Sequence, residues 1–67
     1  MYVLKIKGKA RIPDYVQIRD NDFTLIAYFR LDRPEKAIAK LGLSMKEDEI
    51  MNQLNSMPYG KVIKIDW

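Results

Sequence analysis

The chain has 67 residues, 12 basic and 9 acidic side chains, a formal net charge of +3, and neither cysteine nor histidine. That length makes a single domain, residues 1–67, near the lower limit for a chain that folds alone. The two missing residue types exclude disulfide staples, thiolate or imidazole metal sites, and the commonest acid–base catalyst at neutral pH.

No cofactor or metal is expected from such a composition. The longest apolar run, Leu25 to Phe29, falls far short of the roughly 20 residues that span a bilayer. Lysines from position 5 onward interrupt any signal-peptide core. The expectation is a cytoplasmic chain with no membrane partner.

The first twelve residues alternate. Tyr2, Leu4, Ile6, Gly8, Ala10 and Ile12 occupy even positions, and Val3, Lys5, Lys7, Lys9 and Arg11 occupy odd ones. Period two is the mark of a strand with one buried face. The even set is expected inward, which gathers the basic side chains on the outer face about 6.6 Å apart. Pro13-Asp14 turns the chain, pairing Ile12 with Val16, and Gly8 reads as a bulge or a bend.

A second strand covers Tyr15 to Arg19, and a third returns from Phe23 to Leu31 with its odd positions inward. A two-residue loop at Asn21-Asp22 would place Ile18 opposite Leu25 and Tyr15 beside Tyr28. A three-residue loop would mix the two faces, so the shorter one is predicted.

Asp32 and Glu35 suggest a capping box for a first helix, with Pro34 in its first turn. Ala37, Ile38 and Leu41 form its apolar stripe, and Gly42-Leu43 suits a Schellman end. Ser44 and Glu47 suggest a second capping box. Ile50, Met51, Leu54 and Met57 then share one helical face. Pro58-Tyr59-Gly60 ends that helix, and Lys61 to Trp67 forms a last strand with Ile63, Ile65 and Trp67 on one side.

The predicted order is βββααβ: an α+β two-layer sandwich, with a mainly antiparallel four-stranded sheet and two short helices packed on one face. Alternating directions give the spatial order 4-1-2-3. The segment Ile38 to Ser44 looks like the turn of a DNA-binding helix-turn-helix. Asp48 stands where that motif needs an apolar residue, and Glu47 to Glu49 would repel phosphates.

The candidate binding surface is the outer sheet face, carrying Lys5, Lys7, Lys9, Arg11, Tyr15, Arg19, Tyr28, Arg30 and Lys64. Basic side chains interleaved with tyrosines on an open sheet are what single-stranded nucleic-acid binders present. Two unit charges 7 Å apart in water repel by only about 0.6 kcal/mol, so a solvated face accounts for the same residues. The sequence therefore points to a small non-enzymatic interaction module or accessory subunit. Its partner would be another protein or a second copy, met through the edge strand with its exposed Ile26 and Tyr28. The alternative is single-stranded DNA or RNA bound on the basic face.

Overall fold

The computed structural model describes all 67 residues. Strands β1 (Tyr2–Ile6), β2 (Tyr15–Arg19) and β3 (Leu25–Arg30) form an antiparallel meander. Helix α1 (Glu35–Lys40), a single 3₁₀ turn (Ser44–Lys46) and helix α2 (Glu47–Ser56) follow, and β4 (Val62–Lys64) returns antiparallel beside β1. The hydrogen-bonded order is β3-β2-β1-β4, the order expected from alternating strand directions.

One face of the sheet carries the core. Val3, Val16, Ile18 and Phe29 meet Ile38 of α1 and Ile50 and Leu54 of α2 in one buried cluster. Met51, Met57, Ile65 and Trp67 pack on its margin. The Trp67 indole N–H donates to the side-chain oxygen of Gln53, satisfying its polar edge as the ring closes the core.

The side chains of β1 face the opposite way from the sequence expectation. Val3 pairs with Ile18 and Lys5 with Val16, and all four are buried on the helical side. Tyr2, Leu4 and Ile6 point to the open side. β1 also stops at Ile6 instead of running to Ile12, and residues 7–14 form a loop.

Gly8 explains why the strand ends there. Its backbone lies so close to the returning chain that a Cβ would sit 1.8 Å from the carbonyl oxygen of Ile12. The Asp14 carboxylate accepts from the Gly8 N–H at 2.7 Å, closing the loop across its base.

The β2–β3 connection also differs from the expectation. The Asp20 N–H donates to Thr24 O at 3.0 Å, so Asn21, Asp22 and Phe23 form a three-residue loop, with Phe23 at φ +66°. A Cβ-bearing residue in that left-handed region usually gives way to glycine or asparagine. The loop does not mix the faces, because the register steps between Ile18 and Arg19. Ile26 is left as an extra residue in β3, a bulge that restores parity. Ala27, Phe29 and Leu31 consequently face the core as expected, while Leu25 swings outward beside Arg19.

Neither predicted capping box forms. Pro34 is the N-cap of α1, and Asp32 binds Arg30 instead. The Ser44 segment winds into the 3₁₀ turn, and no side chain caps α2. Glu47, Asp48 and Glu49 still sit in the first turn of α2, where negative charge meets the positive end of the helix dipole. The C-terminus of α1 is the expected Schellman end. Leu43 N donates to Ile38 O and Gly42 N to Ala39 O, both at 3.0 Å, with Gly42 at φ +74°.

The contact at Gly8 yields a test. Gly8→Ala forces the loop apart and is expected to destabilise by about 1–3 kcal/mol. In a domain of this size each kcal/mol lowers the melting temperature by about 4–8 °C. Circular dichroism melting checks it, and an unchanged midpoint would contradict the close approach.

Candidate functional site: the open sheet face

The residues expected on one basic face divide into three places. Tyr15, Arg19, Tyr28, Arg30 and Lys64 do share the open face, by the registers of β2, β3 and β4. Lys7, Lys9 and Arg11 are exposed, but they lie on the 7–14 loop at one end of the sheet. Lys5 is on the opposite side, 3% exposed beneath the helical layer.

The position of Lys5 follows from what it meets there. Its ammonium donates to the carbonyl of Met57, the C-cap of α2, at 3.0 Å, where the helix dipole favours a cation. It also lies 4.4 Å from the centroid of the Tyr59 ring, a cation–π contact. The main-chain carbonyl of Lys5 accepts from Gly60 N–H at 2.8 Å. Lys5 is therefore a structural cation that fastens the α2–β4 connection to the centre of the sheet.

Tyr59 extends that anchor to the loop. Its hydroxyl donates to Asp14 at 2.7 Å, and Asp14 also receives the Gly8 N–H. Those two hydrogen bonds, Gly8 first, hold the Asp14 carboxyl below the usual carboxylate range, with Lys7 and Lys5 adding to the effect. The same bond pushes the Tyr59 phenol up.

With the β1 lysines displaced, the centre of the open face is apolar. Leu4 lies between Gln17 and Val62, Ile6 beside Tyr15, and Tyr2 between Arg19 and Lys64. The Tyr15 and Tyr28 rings meet at 5.0 Å with a 52° tilt. At the far end Phe23 packs edge-on against Tyr2 at 5.5 Å and lies 4.8 Å from the Arg19 guanidinium. Arg19 is held in turn by Phe23 O and Gln17 Oε1.

Phe23 was not among the sequence candidates. Its exposure of 48% in a left-handed backbone is a local cost of order 1–3 kcal/mol. The only sequence signal was an aromatic residue immediately after Asp20-Asn21-Asp22, where a turn usually ends in a small or polar one.

Three cations border this face, and one of them is already paired. Arg30 grips Asp32 through two bonds, at 3.0 and 2.8 Å, holding the Asp32 carboxyl low. Both side chains are more than a third exposed, so the pair contributes no more than about 1 kcal/mol. No group of three or more Asp, Glu, His or Cys side chains is placed to hold a metal ion. No helix is long and apolar enough to cross a membrane.

Two predictions follow from the anchor. Lys5→Glu buries a carboxylate against the Met57 carbonyl and should cost about 3–5 kcal/mol, whereas Lys9→Glu and Arg11→Glu, exposed on the loop, should stay within about 0.5 kcal/mol. Urea denaturation separates them, and equal effects at the three positions would contradict the burial of Lys5.

Asp14 titrates lower in the folded chain than its unfolded value of ~3.9. The stability it contributes is thus fully present above that value and is lost as pH falls through the lower folded pKa. Asp14→Asn should flatten the acid limb of the stability–pH curve without abolishing it, since Asp32 contributes in the same direction. An unaltered acid limb would show that Asp14 carries none of this dependence.

Comparison with known proteins adds no relative to this geometry: no family model, curated protein or solved structure matches the chain.

Proposed function

We propose that the chain is a small non-enzymatic interaction module whose open sheet face docks a protein partner. The observation that carries this reading is the apolar centre of that face, where Val62 is exposed and Leu4, Ile6 and Tyr15 are half-buried, while both helices pack on the other side. Aliphatic and aromatic side chains bordered by arginine are the composition of a protein-interface core with a polar rim. The strained, exposed Phe23 extends the same surface.

Size supports the reading. A compact monomer of 7.9 kDa is expected to expose about 4,400 Å², and this chain exposes 4826 Å². A standard interface would cover about 800 Å² of it. Arg19 and Lys64 on the rim, with no carboxylate on the strands of the face, favour a partner whose apolar patch is bordered by acidic side chains.

Site-specific photo-crosslinking tests this in cells that make the chain. A photoreactive phenylalanine analogue at Leu4 or Val62 should give discrete protein adducts, weakened when Arg19 and Lys64 are both changed to Glu. The same analogue at Ala39 or Asn52, exposed on the helical side, should give none. Equal adducts at all four positions, or none at any, would overturn the proposal.

The tilted Tyr15–Tyr28 pair beside Arg19, Arg30 and Lys64 favours one second reading, single-stranded nucleic acid stacked on the tyrosines. If all three cations neutralise phosphates, log affinity should fall against log salt with a slope of about −2. Retention of oligonucleotides that is absent at low salt, or insensitive to salt, removes this alternative.

A further inference from the structure

Two residues other than glycine hold a left-handed backbone, Ala10 at φ +53° and Phe23 at φ +66°. A bulky side chain in that region is an outlier that its surroundings must enforce. Glycine or asparagine would close the β2–β3 turn without the strain.

The core does not enforce it. The Phe23 ring belongs neither to the buried cluster nor to its margin, and nearly half of the residue is exposed. The turn that carries it is tied by its own hydrogen bonds. Asp20 Oδ1 accepts from the N–H groups of Asp22 and Thr24, both at 2.9 Å, and Asp20 O accepts from Phe23 N–H at 3.0 Å. The ring is clamped as well. Tyr2 meets it edge-on and the Arg19 guanidinium lies against it, while Phe23 O and Gln17 Oε1 hold Arg19.

We propose that Phe23 is the anchor of the open face, a ring held ready for an apolar pocket on the protein partner. This rests on the reading of that face as a docking surface, and it adds which side chain carries the affinity and what the partner must present. A side chain already fixed before binding loses little freedom when it docks, so more of its burial appears as affinity. Its neighbours are the residue types that dominate interfaces, aromatic Tyr2 and Arg19. Leu25, turned outward beside Arg19 by the bulge, is 45% exposed and widens the apolar contact.

The polar neighbours define the lip of the pocket. Arg19 uses one N–H on Phe23 O and one on Gln17 Oε1, which leaves others for a carboxylate of the partner. Asp22 is exposed at the turn and takes part only through its main-chain N–H, so its carboxylate calls for a basic side chain. The complementary pocket is apolar inside, acidic toward Arg19 and basic toward Asp22.

Photo-crosslinking in cells that make the chain tests it. The photoreactive phenylalanine analogue at position 23 should capture the same protein, identified by mass spectrometry, as the analogue at Val62. At Met45, exposed in the 3₁₀ turn of the helical layer, it should not. Phe23→Asn keeps the left-handed turn and deletes the ring. Capture at Val62 should then fall about tenfold or more. The melting midpoint should move by no more than about 4–8 °C, because relief of strain offsets the lost ring contacts. Undiminished capture in that variant, or no protein or a different one at position 23, overturns the anchor and leaves the docking surface standing. A variant that melts still lower, or does not fold, makes Phe23 a structural residue and overturns the anchor too. No capture at Val62 with Phe23 in place removes the docking surface and the anchor together.

Discussion

The buried ammonium of Lys5 decides which way the central strand faces. A lysine under a helical layer is tolerated only if its charge is met, and here the terminal carbonyl of α2 and the Tyr59 ring meet it. Once Lys5 points inward, Val3 must accompany it into the core, and Tyr2, Leu4 and Ile6 must go to the opposite side. The apolar open face is thus the geometric complement of one charge–carbonyl contact. An apolar residue at position 5 would fill the core more simply, but it would leave the Met57 carbonyl without its donor.

The two connections of the meander act on the same constraint. The 7–14 loop is closed by Asp14, which joins Gly8 to Tyr59 and so ties the loop to the strap that covers Lys5. The Asp20–Thr24 turn, one residue longer than parity alone prefers, is reconciled by the bulge at Ile26. That bulge turns Leu25 outward, and the residue at the loop tip, Phe23, bridges Tyr2 and Arg19. Core packing on one side and the aromatic arrangement on the other are therefore set by the same few backbone irregularities.

Element order, the two-layer architecture, the inward sides of β2 and β4, and the Schellman end at Gly42 were legible because each rests on local periodicity or one permissive residue. The orientation of β1 was not. Its even positions are the more apolar, and hydropathy alone assigns them to the core. The partners that reverse the choice, Met57 and Tyr59, lie more than 50 residues away in sequence. Five of the nine candidate surface residues do share the open face. Lys7, Lys9 and Arg11 missed it because Gly8 ends the strand before them, a steric effect visible only when Ile12 is seen to approach. The capping boxes failed because Asp32 had a better partner in Arg30, and because a 3₁₀ turn used the residues around Ser44.

The route by which Lys5 is satisfied also bears on the order of assembly. β1, β2 and β3 are joined by short connections and close early, since nearby segments meet at little entropic cost. The donors and acceptors on the other side of β1 wait for β4, whose residue Ile63 pairs with Val3. Until the last eleven residues arrive, the three-stranded meander holds a lysine in its middle with neither carbonyl nor ring above it, and water must serve instead. Docking of α2 and β4 therefore coincides with stripping that water from a charge, so the cost of dehydrating Lys5 falls at the step that supplies its carbonyl and ring.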